Sequence, residues 1–181
     1  MGLSSAIALL SPVTEVGRGM AGSDSCRRPA TYPPGVPTDL GGGLHLRAVR
    51  DADGAERLAA FNAGVHQDEA VRALTRWRLV GAHPTVALSD FLFVEDTRTG
   101  EVVSSLGLML QTWTYRHIPF RVGQVELVGT HPSYRGRGLV RAQMAVIARM
   151  LDATGCLLRA YPRSPLARKV IQAQAKWSIA K

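Results

Sequence analysis

The sequence predicts an α/β (α+β) fold, a mixed and mostly antiparallel sheet flanked by helices. Three observations carry this. Apolar runs bounded by turn residues recur at 44–49, 91–94 and 102–114. Two amphipathic segments, at 51–65 and 69–79, stand between the first run and the second. The stretch Gln124 to Leu151, QVELVGTHPSYRGRGLVRAQMAVIARML, then reads as strand, glycine-rich turn and helix in direct succession.

Residues 1–42 are rich in Gly, Ser and Pro, and PATYPPGVP breaks both helix and strand, so a structureless tail is expected up to Gly41-Gly42-Gly43. Leu44 to Val49 alternates with His45 and Arg47, the pattern of a half-buried strand. Asp51 or Asp53 caps the first helix, whose buried stripe is Leu58, Phe61 and Val65. The second helix carries Val71, Leu74, Trp77 and Leu79 inward. Phe91 to Val94 and Val102 to Thr114 form a hairpin through Thr97-Arg98-Thr99-Gly100, with Glu95, Asp96 and Glu101 at a solvated tip. A connector, His117 to Phe120, leads to a strand over 122–130. Val140, Met144, Ile147 and Leu151 then mark the buried face of a helix. Cys156 to Tyr161 reads as a short further strand, and Ser164-Pro165 starts a terminal helix. The chain thus divides into a tail (1–42), a core (43–155) and a divergent basic strand and helix (156–181).

A length of 181 residues suits one domain, and 46% hydrophobic with 20% charged residues excludes a disordered chain. No apolar run approaches the ~20 residues that span a bilayer. Two distant cysteines, Cys26 and Cys156, give no disulfide framework, so a reducing cytoplasm is the expected compartment. The net charge of +8 is uneven: residues 1–134 hold 12 basic against 13 acidic side chains, residues 135–181 hold 10 against Asp152 alone. This excess suits an anionic cofactor. Nucleic acid is disfavoured, because only Tyr161 and Trp177 could stack bases there. His66 and His83 have no partner at metal-ligand spacing, so no metal is expected.

The chemistry concentrates after Gln124. A strand ending in a glycine-rich turn before a helix presents free N–H groups and the positive helix end to an anion. Gly136 and Gly138 allow close approach to the main chain, and Arg135, Arg137 and Arg141 add charge. The Gly-Lys-Ser/Thr ending of a P-loop is absent, as is the third glycine of a dinucleotide fingerprint.

Arg135, Gly138 and Val140 fall on the three positions of Arg/Gln-x-x-Gly-x-Gly/Ala, and the segment resembles the central motif of the GNAT N-acetyltransferases. The run VGTHPSYRGRGLVRAQ is most similar to the branch typified by the "enhanced intracellular survival" acetyltransferases. The resemblance runs from Gly43 to Asp152 and implies a GNAT-like sheet with acetyl-CoA as co-substrate. By position it assigns Val128, Gly129 and Thr130 to the pantetheine arm. It assigns Arg135, Gly136, Arg137, Gly138, Leu139, Val140 and Arg141 to the pyrophosphate, with Val140 standing where a small residue is usual. It makes the two early helices the wall of the acceptor cleft. The family pattern Asn-x-x-Ala-x-x-apolar-Tyr aligns with Ser164, Ala167, Val170 and Ile171, and Ile171 has no proton to give. The last two sheet strands lack counterparts, which implies either a C-terminally truncated or frame-shifted relative or a minimal natural variant, with an exposed strand edge open to dimerisation or aggregation.

Two functions follow. One is N-acetyl transfer from acetyl-CoA to an amine of a small molecule or peptide. Main-chain N–H groups near Val128 would then polarise the thioester, with Glu126 as candidate base or, alternatively, as an edge glutamate paired with an arginine. The other is an impaired remnant that binds acetyl-CoA without turnover.

Overall fold

The chain is described by a computed structural model at residues 28, 30, 32–80, 83–115 and 118–160. Alternation at Leu44–Ala48 yields a strand, β2, with Leu44, Leu46 and Ala48 buried and Arg47 exposed. It lies between a two-residue strand β1, Thr38–Asp39, and β3, Phe91–Asp96, in antiparallel register with both. β4, Glu101–Tyr115, and β5, Ile118–Thr130, extend the meander, and β6, Leu157–Ala160, pairs parallel to β5. The six strands lie in sequence order across one sheet.

Helices cover both faces. α1, Ala52–His66, starts at Asp51, whose Oδ1 accepts from the Gly54 N–H at 2.8 Å, so Asp51 rather than Asp53 is the cap. α2, Glu69–Val80, packs on α1, and together with β3 they enclose Val49, Ala55, Leu58, Leu79, Phe91 and Phe93. α3, Leu139–Thr154, covers the opposite face, where Ile147, Met150 and Leu151 meet Leu92, Leu106, Leu108 and Val125. A parallel strand needs such a crossover, and α3 supplies it between β5 and β6. Among the described residues no helix is long and apolar enough to cross a membrane.

Four expectations are corrected. The tail expected to reach residue 42 is structured over its last third: β1 pairs with β2, and Tyr32, Val36 and Leu40 pack against the core. Arg28 and Tyr32 also bind Asp90, so side-chain docking compensates for the helix-breaking composition. In α2, Thr75 and Leu79 are buried while Leu74 and Trp77 are exposed, Trp77 by 53%. Thr75 is admitted because its hydroxyl donates to Val71 O at 2.7 Å. In α3 the buried face is Leu139, Gln143, Val146, Ile147, Met150 and Leu151, rotated so that Val140 and Met144 fall at its margin. At the hairpin, Asp96 is fully buried and Glu95 nearly so, because Arg98, Arg47 and Arg57 reach back to them. The terminal helix expected after Ser164 lies outside the described residues.

Candidate functional site

Antiparallel pairing of β4 with β5 is regular from Tyr115↔Ile118 to Gly107↔Glu126, then slips, resuming at Ser105↔Gly129. The slip is a β-bulge. Leu127 takes a φ of +51°, a left-handed conformation unusual for a branched side chain, and Val128 becomes exposed. β6 pairs with β5 only along Val122–Val125. Among the described residues, therefore, Glu126–Thr130 has a strand neighbour on one edge alone.

Two consecutive serines of β4 hold this bulge from opposite faces. Ser104 Oγ lies 3.0 Å from Gly129 O, 2.8 Å from Gln143 Oε1 of α3 and 3.0 Å from Thr130 Oγ1. Ser105 Oγ lies 3.1 Å from Leu127 O and 2.6 Å from Asn62 Oδ1 of α1. All four of these serine and amide side chains are buried. At Gly129 a β-carbon would stand 2.6 Å from Val65 Cγ1, so α1 packs on the bulge only because this residue has none.

The chain then turns through a 3-10 segment, Pro132–Tyr134, and reaches α3 across Gly136 and Gly138. Tyr134 donates from its phenol to Asp96 Oδ2 at 2.9 Å, which fastens this turn to the β3–β4 hairpin. Hydrogen bonds from the Arg98 side chain, and then from its N–H, hold the Asp96 carboxyl well below the usual range. Arg137 stacks over the Tyr134 ring at 4.7 Å and donates to Ser133 O at 3.2 Å, and Arg135 Nε donates to Thr130 O at 3.3 Å. Gly138 is the helix cap at φ +76°, with open space around it and no side chain to satisfy the first turn. The first intrahelical bond is Ala142 N–H to Gly138 O. The N–H groups of Leu139, Val140 and Arg141 thus precede the helical ladder, beside an exposed Arg141.

On the α1–α2 face, Glu126 forms an ion pair with Arg78 of α2 and accepts a short hydrogen bond from Gln124. His83 stacks edge-on to Trp77 with ring centroids 5.3 Å apart. Burial, then the Arg78 guanidinium, lower the His83 pKa, against the opposing pull of Glu126. Trp77, Arg78, His83 and Glu126 thus gather beside the bulge. Two cavities, of about 720 and 410 Å³, lie elsewhere, around Tyr32–Asp39 and around Arg47–Arg57. Neither cavity is lined by residues of the bulge or of the glycine turn, where the free N–H donors lie.

Val128 lies on the bulge, Gly129 and Thr130 in the paired strand just beyond it, and Arg135 to Arg141 span the turn and the first turn of α3. Glu126 joins the bulge to α2. Sequence reasoning overlooked Asn62, Ser105, Gln143, Arg78 and the Asp96–Tyr134 link. A signal existed for two of them: Asn62 is four residues after Leu58, and Gln143 four after Leu139, each a polar residue on an apolar stripe.

A family model described as an acetyltransferase (GNAT) domain matches residues 45–164. Among solved structures, an acetyltransferase from Trypanosoma brucei superposes with a TM-score of 0.51 at 23% identity, over 70% of this chain and 90% of that one. A predicted acetyltransferase from Clostridium acetobutylicum, solved with acetyl-CoA, gives 0.53 at 16% identity, over 72% and 88%. N-myristoyltransferase from Saccharomyces cerevisiae with bound myristoyl-CoA gives 0.58 at 12% identity over 68% of this chain. The chain spans about a third of that enzyme, 32% of its length. No curated protein sequence matches this chain.

Proposed function

The chain belongs to the GNAT acetyltransferase family, and from that premise we propose that it transfers an acetyl group from acetyl-CoA to an amine of a small molecule or peptide. One observation carries the proposal: the uncapped start of α3, with Gly136 and Gly138 before it, stands at the end of a strand opened by a bulge. The pyrophosphate would take the N–H groups of Leu139, Val140 and Arg141, with Arg135, Arg137 and Arg141 as counter-charges. Arg135 and Arg137 each donate to one exposed main-chain carbonyl, of Thr130 and Ser133, and Arg137 also stacks on Tyr134, so a phosphate can recruit Arg135 at the lower cost. The pantetheine arm would lie along Val128–Thr130, where β5 has no second strand neighbour among the described residues. The wider motif's similarity to the "enhanced intracellular survival" branch supports an amine as acceptor.

In the reaction the amine nitrogen attacks the thioester carbonyl, the C–S bond breaks, and CoA leaves as thiolate. The amine must lose a proton and the thiolate must gain one. Val128 N–H would stabilise the oxyanion. Glu126 is the carboxylate at hand for the amine proton, directly or through water. Arg78 and Gln124 already engage its two oxygens. That observation favours a second reading, in which the protein binds acetyl-CoA and turns over slowly or not at all.

Calorimetry with acetyl-CoA, beside thiol release over a panel of amines, tests both. Binding with amine-dependent thiol release supports transfer. Binding without release supports the second reading, and no binding refutes both.

A further inference from the structure

A buried polar chain links α2 to the bulge. Thr75 Oγ1 lies 3.4 Å from Asn62 Nδ2, and Ser105 Oγ, 2.6 Å from Asn62 Oδ1 and 3.1 Å from Leu127 O, shares its one hydroxyl proton between these two acceptors. Asn62 and Thr75 are fully buried, so each atom left unpaired would carry a desolvation penalty. The chain runs from α2 through α1 and β4 to the one peptide of β5 whose carbonyl belongs to a positive-φ residue. A trans peptide is planar, so its C=O and N–H point in opposite directions. Ser105 draws the Leu127 carbonyl toward β4 and α1. The Val128 N–H on the same peptide is therefore turned away from β4, toward the edge of β5 that β6 leaves open.

We propose that Ser105, Asn62 and Thr75 are positioning residues for the acyl thioester: they fix the Leu127–Val128 peptide so that its N–H faces the thioester carbonyl. The proposal rests on the acetyl-CoA reading above and extends it to residues that touch no ligand. The Arg78–Glu126 pair ties the same helix to the same bulge one residue before Leu127. A displacement of α2, which carries the exposed Trp77, is thus delivered to the peptide that orients the donor.

The test separates the acyl-pantetheine arm from the nucleotide. Acetyl-CoA and 3′-phospho-ADP, the same nucleotide without the arm, are titrated calorimetrically into the parent, Ser105→Ala and Thr75→Val. We expect the acetyl-CoA Kd to rise about tenfold in Ser105→Ala and about threefold in Thr75→Val, the effect of one lost hydrogen bond and of a fraction of one. The 3′-phospho-ADP Kd should stay within about twofold, since its phosphates seat on α3. Addition of acetyl-CoA should move the Val128 amide proton resonance downfield in the parent and not in Ser105→Ala. Folded variants that bind acetyl-CoA as the parent does overturn the inference. Equal weakening of both ligands also overturns it, by showing general damage. A parent that binds 3′-phospho-ADP but acetyl-CoA no more tightly removes the role of the bulge and leaves the loop assignment standing. A parent that binds neither ligand sinks the acetyl-CoA reading itself, and this inference with it.

Discussion

Replacing Arg28 by alanine should destabilise the whole domain, although the residue lies in a segment of low-complexity appearance. Asp90, immediately before β3, is fully buried and accepts from Arg28 Nε at 2.7 Å, from Arg28 Nη2, from the Tyr32 hydroxyl at 2.9 Å and from the Ala87 N–H at 2.7 Å. Arg28→Ala leaves a buried carboxylate with two neutral donors and no counter-charge. Breaking a buried ion pair on one side costs roughly 3–5 kcal/mol. The Arg28 side chain is 24% exposed, so water entering its place should reduce this to about 2–3 kcal/mol. For the roughly 130 described residues at about 2.1 cal/mol/K each, that lowers Tm by about 7–11 °C. Scanning calorimetry on the parent, Arg28→Ala and Arg28→Ala/Asp90→Asn measures it. The double variant should recover at least half the loss, because the orphaned charge is gone while the Ala87 contact remains available. Deleting residues 1–40 should cost more than Arg28→Ala, since Tyr32, Val36 and Leu40 leave as well. A Tm within about 2 °C of the parent for Arg28→Ala would refute the docking argument.

Gly138→Asp should stay folded, at a cost of about 1–2 kcal/mol for a side chain at φ +76°, and lose acetyl-CoA binding through a carboxylate placed at the phosphate site; unchanged affinity would remove the anion loop from the mechanism. Raising salt from 50 to 500 mM should weaken acetyl-CoA binding to the parent, because exposed arginines supply much of the attraction, and titrations at both concentrations read this directly. The depressed Asp96 pKa makes its contribution to stability complete above the ordinary carboxylate value of about 4 and progressively lost as pH falls toward the folded-state value. Urea midpoints between pH 5 and pH 2 should therefore fall less steeply in Asp96→Asn than in the parent. Gly129→Val should overpack the bulge against Val65 and Phe61 and cost about 1–3 kcal/mol, seen as a lower urea midpoint.

What could be read from the sequence was what short-range chemistry decides. Alternation at Leu44–Ala48 and the strand, glycine turn and helix of Val125–Leu151 each carry their signal within a few residues, and the second of them holds the loop and the bulge edge. The partnerships that shape the site span long separations. Arg28 meets Asp90 across 62 residues, Asn62 meets Ser105 across 43, and Tyr134 meets Asp96 across 38. Asp96 looked like a hairpin-tip acid because nothing near it in sequence announces the phenol that covers it. Size and spacing place Trp77 inward, yet Thr75 takes the buried position because Val71 O and Asn62 satisfy its hydroxyl.

The one parallel pairing among the described residues, β5 with β6, bears on the order in which the chain can assemble. β1 to β5 each lie beside their predecessor in antiparallel register, so the sheet can grow by adding neighbours as the chain emerges. β6 cannot join until α3 has crossed the sheet face, because parallel pairing waits on its crossover. The glycine turn, the uncapped helix start and β6 therefore acquire their geometry together and last. An anion seated on α3 would stabilise that final step, so added ligand should slow amide exchange in β6, a strand it does not touch.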